Sequence, residues 1–174
     1  AGGLLWELTG TTDPIDALYS ASELPLLQAM LARGLNTPRT SSIGRLFDAL
    51  STLTGIRTAR GFEGQAATEL EFAAERVEDS EAYPWAFREG ACLVADPAPL
   101  VEALLRDLRQ GTSAGIAARR FHHALAELAL AWARHAALED VVLCGGCFQN
   151  ALLTRLVRER LMREGFRVHV PMSF

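Results

Sequence analysis

Apolar residues recur every three to four positions over most of the 174-residue chain, which is the spacing of helices buried on one face. Capping residues and glycines mark the ends of these stretches. Ser22 and Gly34 bracket one of them, and the pair Asp13–Pro14 opens another. The pattern predicts helices over 14–19, 22–34, 42–55, 65–76, 97–111, 113–138 and 151–165. The third of these is capped by Ser41 or Ser42, and the sixth by Thr112 or Ser113.

Three short apolar runs depart from this spacing and predict strands, at 91–95, 141–143 and 166–170. The last two flank the helix that starts at Ala151, and a strand–helix–strand unit of this length forms a right-handed parallel crossover. The segment 78–88 contains Tyr83 and Trp85, which predict an irregular but packed connection. The fold class is therefore α/β and mostly helical.

So few strands cannot cover the predicted helices, and we expect the sheet to be incomplete. The chain, 1–174, is accordingly expected to be a single partial domain and a fragment of a longer protein. Within it, 1–90 is the helical part, and 91–174 runs strand–helix–helix–strand–helix–strand.

Composition and charge exclude several classes of protein. Apolar residues make up 49% of the chain, which is enough for a buried core. A net charge of −4 offers no basic face for nucleic acid or for an anionic membrane, and no apolar run approaches the ~20 residues of a membrane helix. Three cysteines do not suggest a disulfide framework, so we expect a cytoplasmic protein.

The stretch 141–150, Val-Val-Leu-Cys-Gly-Gly-Cys-Phe-Gln-Asn, is the most informative part of the pattern. A buried strand ends at Gly145 and Gly146, and a helix begins at Ala151. The glycines permit positive φ and close approach of a ligand, and the helix start presents unpaired N–H groups. A phosphate or nucleotide fits such a position, although a plain tight turn has the same pattern.

Cysteine and histidine spacing does not indicate a metal site. Cys144 and Cys147 form a Cys-x-x-Cys pair, but a structural zinc needs two more ligands and Cys92 is the one other cysteine. We interpret the pair as incidental thiols, with a redox role as the alternative. His122 and His123 are adjacent on a helix and point about 100° apart, so they cannot chelate one ion together. His122 is expected to be buried against a carbonyl group.

Several stretches resemble a known family, in the same order along the chain. Thr-Ser-Ser-Ile-Gly-Arg-Leu-Phe-Asp-Ala at 40–49 resembles the Ser-Ser-x-Gly-Arg-Leu-Phe-Asp segment of the hydrogenase-maturation carbamoyltransferase family HypF. Phe-Glu-Gly-Gln-Ala-Ala at 62–67 and Leu-Cys-Gly-Gly-Cys-Phe-Gln-Asn at 143–150 are similar to that family's Tyr-Glu-Gly-Gln-Ala-Ala and Leu-Ser-Gly-Gly-Val-Phe-Gln-Asn. Ala-Ala-Arg-Arg-Phe-His at 117–122 resembles its long helix.

This resemblance implies a fold and a function. HypF proteins use carbamoyl phosphate and ATP to make carbamoyl-adenylate, and transfer the carbamoyl group to the C-terminal cysteine of HypE on the route to the cyanide ligands of nickel–iron hydrogenases. The chain would be part of the carboxyl-terminal module, which is similar to the Kae1/TsaD proteins and to the actin-like ATPase (ribonuclease H-like) fold. It would be a partial lobe with a few strands and a helical insertion. Its partners would be a HypE-like protein and the other domains of its own longer chain.

The resemblance also implies roles for residues in the first part of the chain. Asp48 would bind the ribose hydroxyls, and Gly44, one turn earlier, would let the nucleotide come close. Glu63 and Gly64 would lie near the sugar or the base. Each residue also has a simpler role: Asp48 as a solvated helix residue, and Glu63 as a first-turn acid that complements the helix dipole. Arg45 is an ion-pair partner or a phosphate ligand, and the sequence does not decide between them.

In the second part, the resemblance places Gly145 and Gly146 under the phosphate or ribose, and lets Asn150 hydrogen-bond the base or the backbone. Asn150 is also a good helix cap, and the two roles are compatible. The family's metal-binding His-x-x-x-His and Asp-Gly-Gly stretches do not occur here, so the metal of the full-length protein would be held by residues outside this chain. The resemblance does not identify the catalytic residues, and we expect no transfer by this part alone.

Two other functions remain open. The first alternative is a non-catalytic helical interaction module that docks a partner on the face from Phe121 to Trp132 or on Tyr83, Trp85 and Phe87. The second is a thiol-based redox or metal protein that uses Cys144 and Cys147.

Overall fold

A computed structural model describes residues 1–58, 61–90 and 92–171. Contacts along the chain divide it into two compact units, Ala1–Glu69 and Leu70–Phe174. The expected division of one partial domain into 1–90 and 91–174 stays a prediction.

The first unit is helical. The predicted helix over 14–19 is instead a 3₁₀ turn at Asp16–Leu18, followed by extended backbone at Tyr19. This prediction was wrong because so short a segment gains too few hydrogen bonds to offset the cost of helix nucleation. The helices are α1 (Gly2–Thr9), α2 (Glu23–Arg33), α3 (Ile43–Leu53) and the start of α4 (Gln65–Glu75).

Helix α3 follows directly from its sequence pattern. Ser42 adopts the extended backbone of an N-cap, and Phe47, Leu50 and Leu53 bury the apolar stripe. The helix ends where Gly55 takes the left-handed conformation, with φ of 72°. This buried stripe fixes which way the polar positions between its members point.

The helices of the second unit pack chiefly through α6 and α7. Of the two predicted caps, Ser113 caps α6, and its Oγ accepts a hydrogen bond from the N–H of Ile116 at 3.3 Å. At Gly115, a Cβ atom would lie 3.0 Å from the carbonyl oxygen of Ala73. Glycine therefore allows the start of α6 to approach the end of α4 closely. These helices are α5 (Ala98–Arg109), α6 (Ala114–Ala136) and α7 (Ala151–Arg163).

The predicted parallel crossover is confirmed. Strand β3 (Asp140–Val142) pairs in parallel with β4 (Arg167–His169), with Val141 opposite Val168. The N–H of Leu143 extends the ladder to the carbonyl of His169 at 2.9 Å. Helix α7 connects the two strands, so the segment between β3 and α7 lies at the carboxyl end of β3.

A second, antiparallel pair corrects the prediction for 78–95. Strand β1 (Ala86–Arg88) lies inside the expected irregular connection and pairs with β2 (Val94–Asp96). The pattern missed β1 because a strand of three residues is too short to show a period of its own. Ala91, predicted as strand, lies outside the described residues. The packing expected here is confirmed: the Trp85 indole N–H donates to the carbonyl of Ala124 at 2.8 Å.

In the described ranges, no helix combines the length and the apolar character needed to cross a membrane.

Candidate functional site

Two of the stretches singled out in the first unit meet at one depression. It has a volume of about 680 Å³ and is open to solvent. The segment before α3 and its first turn form one side, and the turn before α4 forms the other. The lining residues are Thr40, Ser42, Arg45, Gly61, Phe62 and Glu63.

Asp48 contacts this depression through Arg45. The two lie one turn apart on α3, and Arg45 Nη1 is 2.8 Å from Asp48 Oδ2. Asp48 leaves the apolar stripe, as predicted from its position next to buried Phe47, and its side chain is 27% exposed. At Gly44, a Cβ would meet Ser42 Oγ at 3.5 Å, an ordinary contact. The protein's own packing therefore does not require glycine at position 44.

The turn before α4 is held by Gln65, whose side chain the sequence pattern did not single out. Gln65 is 7% exposed; its Oε1 accepts from the N–H of Gly61 at 2.8 Å, and its Nε2 donates to Glu69 at 3.0 Å. Gly64 has φ of 81°, so a residue with a side chain would be strained there. The result is a fixed turn that exposes 61% of Phe62 and leaves the Glu63 carboxylate in solvent.

In the second unit, the segment 144–150 after β3, here called the glycine bend, has the open geometry that the glycines predicted. Gly145 has φ of 95° and ψ of 167°, a conformation that residues with side chains rarely adopt. A Cβ at Gly145 or Gly146 would meet nothing within 4 Å. The glycine bend contains a 3₁₀ helix, Gly146–Gln149, where the pattern predicted a single turn.

Asn150 caps α7, as the simpler interpretation predicted. Its Oδ1 accepts from the N–H of Leu153 at 2.7 Å, and its Nδ2 lies 3.1 Å from His122 Nε2. Glu71 Oε1 accepts from the N–H of Leu152 at 3.0 Å. The expectation of unpaired N–H groups at this helix start is therefore wrong for Leu152 and Leu153. An anion at the bend would meet the backbone of the glycines instead.

His122 is the buried partner of this cap. It is fully buried on α6, and its Nδ1 donates to the carbonyl of Ala118 at 2.7 Å, which confirms burial against a carbonyl. Nε2 then accepts from Asn150, so the ring is neutral. Burial lowers the pKa of His122 to about 4. The pairing of His122 with Asn150 is separated by 28 positions in sequence, and no local pattern indicated it.

The thiols of the bend differ in exposure: Cys144 is exposed and Cys147 is half-buried. Burial raises the pKa of Cys147, which reduces its thiolate fraction and weakens the redox alternative. Among the residues that the structure describes, no three histidine, cysteine or acidic side chains are placed to hold a metal ion.

The interaction-module alternative loses one of its two surfaces. Phe121 is fully buried, so the face from Phe121 to Trp132 is core at its first residue, although Trp132 is 42% exposed. Tyr83 is also buried, and its hydroxyl donates to Asp107 at 2.9 Å. A groove of about 300 Å³ remains beside Trp85 and is lined in part by Phe87.

The helical fold with its parallel crossover and glycine bend belongs to a defined class of protein. A family model described as "Carbamoyltransferase, Kae1-like Domain, second subdomain" matches residues 2–174. The chain therefore belongs to this carbamoyltransferase family, as the sequence motifs predicted, and its α/β, mostly helical fold class is confirmed.

Individual relatives carry the name HypF. The chain is 37% identical over 168 residues to carbamoyltransferase HypF of Rhodobacter capsulatus. The aligned region covers 91% of this chain and 21% of the relative. It is 37% identical over 141 residues to carbamoyltransferase HypF of Synechocystis, covering 80% and 18%. The chain thus spans about a fifth of the length of these relatives.

A solved structure agrees with this assignment. The crystal structure of full-length HypF in the phosphate- and nucleotide-bound form superposes with a TM-score of 0.85 at 30% sequence identity. The match covers 97% of this chain and 27% of that one.

Proposed function

We propose that the chain is part of the nucleotide-binding, carbamoyl-transferring module of a HypF-like protein of hydrogenase maturation. The module would move the carbamoyl group from carbamoyl-adenylate to the C-terminal cysteine of a HypE-like partner. Family membership and the carbamoyltransferase names of the relatives support this proposal, as does the nucleotide-bound state of the solved relative. The observation that carries it is the depression in the first unit, where Arg45 and Glu63 face the same space.

The groups around that depression suit a nucleotide. The Arg45 guanidinium provides a cation for phosphate, and the exposed ring of Phe62 offers a face on which a base can stack. Carboxylates accept hydrogen bonds from ribose hydroxyls, which is the role we propose for Asp48 and Glu63. Gly44 and Gly64 would let the ligand approach the backbone at each side.

In the second unit, we propose that Gly145 and Gly146 contact the phosphate or ribose through their backbone. The space that a Cβ would occupy at either residue is open, which supports close approach of a ligand. Asn150 would contribute by holding this bend through its cap, because its amide already bonds Leu153 and His122.

The transfer itself would depend on positioning, together with a metal ion that residues outside this chain would hold. No acid, base or nucleophile among the described residues is assigned to the reaction. We place the activity in the reducing cytoplasm, without nucleic acid or membrane, because the acceptor is a free thiol and the chain carries net charge −4.

Titrating nucleotide into the protein that the complete gene encodes, called the native gene product below, tests the proposal. Asp48→Ala should weaken binding of a non-hydrolysable ATP analogue about 10- to 100-fold, since one charged hydrogen bond contributes about 1.5–3 kcal/mol. Glu7→Ala is the matched control, because Glu7 also pairs with an arginine, Arg39, at 3.0 Å on the surface of the same unit. Equal affinity in Asp48→Ala and the parent would contradict the assignment.

The same variants separate the proposal from the interaction module. A docking role of the groove beside Trp85 and Phe87 predicts that Asp48→Ala leaves both nucleotide affinity and partner capture intact. Carbamoylation of a HypE-like tail, measured by mass spectrometry, reports the transfer directly, and a non-catalytic role of this chain predicts the same transfer rate in the parent and in Asp48→Ala.

A further inference from the structure

We infer that His122 and Glu71 are positioning residues that hold the glycine bend at 144–150 in place from two different helices. This inference rests on the proposed nucleotide-binding role of that bend. Neither residue lies on the bend: His122 belongs to α6 and Glu71 to α4, and both bond the start of α7.

His122 acts through Asn150. The Asn150 amide is 7% exposed and divides its hydrogen bonds between Leu153 at the helix start and His122 Nε2. The Nδ1 bond to the Ala118 carbonyl orients the ring so that Nε2 is the acceptor. Removing this acceptor would leave a buried N–H donor of Asn150 without its partner, which is costly in a dry environment.

Glu71 acts on the adjacent backbone group of the same helix start. Its carboxylate accepts the N–H of Leu152 at 3.0 Å, at the positive end of the α7 dipole. Side chains from α4 and α6 therefore bind adjacent parts of the same helix start. Together they fix where α7 begins relative to their own helices.

The bend depends on the position of the α7 start, because the side-chain bond that holds it comes from α7: Thr154 Oγ1 donates to the carbonyl of Phe148 at 2.8 Å. Gly145 and Gly146 have no side chains to pack, and glycine backbone is the most flexible. At one end, β3 is fixed by the Leu143–His169 ladder bond. At the other end, the N–H of Asn150 bonds the carbonyl of Cys147, so a shift of Asn150 is transmitted into the 3₁₀ helix.

Alkylation of Cys147 reports this bend without any assumption about function. Cys147 is half-buried within the 3₁₀ helix, and exposed Cys92 serves as an internal reference. In the reduced native gene product, His122→Phe keeps the ring volume but removes the acceptor. Iodoacetamide labelling, quantified by peptide mass spectrometry, should then be about 5- to 10-fold faster at Cys147 relative to Cys92, the effect of one lost hydrogen bond.

Two comparisons separate positioning from packing. His123→Phe makes the same substitution at the next residue of α6, where Nε2 is buried without a hydrogen-bond partner among the described residues, and should leave the Cys147 rate unchanged. His122→Gln keeps an acceptor at the position of Nε2 and should return the rate toward that of the parent. A packing role would instead make Phe the milder change.

A second variant avoids the buried core. Glu71→Ala alters a half-buried surface position and should raise the Cys147 rate about 3- to 5-fold, for one bond made near the surface. Glu75→Ala, one turn later on exposed α4 surface, is its control and should have no effect.

Affinity for the ATP analogue distinguishes this inference from the proposed function. A raised Cys147 rate together with weaker nucleotide binding supports both. A raised rate with unchanged binding supports the positioning role and overturns the part of the bend in nucleotide binding. An unchanged Cys147 rate in both His122→Phe and Glu71→Ala overturns the inference, whatever happens to nucleotide affinity.

Discussion

The buried histidine makes stability depend on pH in a predictable direction. His122 is neutral in the folded protein with a pKa of about 4, against an ordinary value of 6.5. The unfolded chain therefore binds a proton between these values when the folded protein does not. The stabilisation from the neutral ring is fully present above pH 6.5. It is lost progressively as pH falls toward 4, and it does not change further below pH 4.

The size of this effect follows from the shift. At about 1.4 kcal/mol for each pKa unit, His122 should account for a loss of about 3 kcal/mol in the free energy of unfolding between pH 7 and 4. Its full burial means that solvent does not screen this effect. Other groups also contribute to the dependence of stability on pH, so the parent must be compared with a variant that lacks only this imidazole.

The assay is urea unfolding of the parent and of His122→Gln, followed by circular dichroism at intervals from pH 7 to 4. Glutamine keeps an acceptor for Asn150 but does not titrate. The parent should lose about 3 kcal/mol more than the variant over this range. Parallel curves for the two proteins, or an imidazole that titrates near pH 6.5 by NMR in the folded state, would refute the reasoning.

Two further predictions concern the stability of the second unit. Gly145→Ala should destabilise the protein by about 1–2 kcal/mol in urea unfolding, because φ of 95° strains a residue with a Cβ, whereas Gly146→Ala should change little, since its φ is not positive. Equal effects at the two glycines would contradict this. Arg120→Met should lower the free energy of unfolding by about 3 kcal/mol, because the side chain of Arg120 is only 21% exposed and pairs with Asp79 at 3.1 Å and with Asp107 at 2.9 Å. A decrease below about 1 kcal/mol in urea unfolding would show that solvent screens these pairs.

The sequence pattern predicted the elements whose information is local. The apolar stripe of α3 implied that Asp48 points away from buried Phe47, and the structure agrees. The cap at Asn150 was likewise predictable, and that of α6 was narrowed to Thr112 or Ser113, since a capping side chain bonds a backbone group three residues away. For such features, the residues that decide the structure lie within one helical turn.

What the sequence did not predict depends on distant partners. Glu71 bonds the start of α7 from 81 positions away, so the N–H group of Leu152 looked unpaired when only neighbouring residues were considered. The pairing of His122 with Asn150 was missed for the same reason. Strand β1 is three residues long and is defined by its pairing with β2 rather than by its own residues.

The sequence motifs themselves carried the family assignment, but they did not reveal which side chains surround the candidate site. Gln65 holds the turn that displays Phe62 and Glu63, yet a glutamine at a helix start has many other uses. Arg45 lies on the other side of the same depression, and only the folded structure shows that the two stretches meet there.

Hydrogen–deuterium exchange of the native gene product, with and without a non-hydrolysable ATP analogue, tests the central claim most directly. The account predicts that the nucleotide slows amide exchange in the 42–64 stretch, and that Asp48→Ala weakens this protection at the same nucleotide concentration. Nucleotide binding that leaves exchange in this stretch unchanged would contradict the claim that the depression is part of the site.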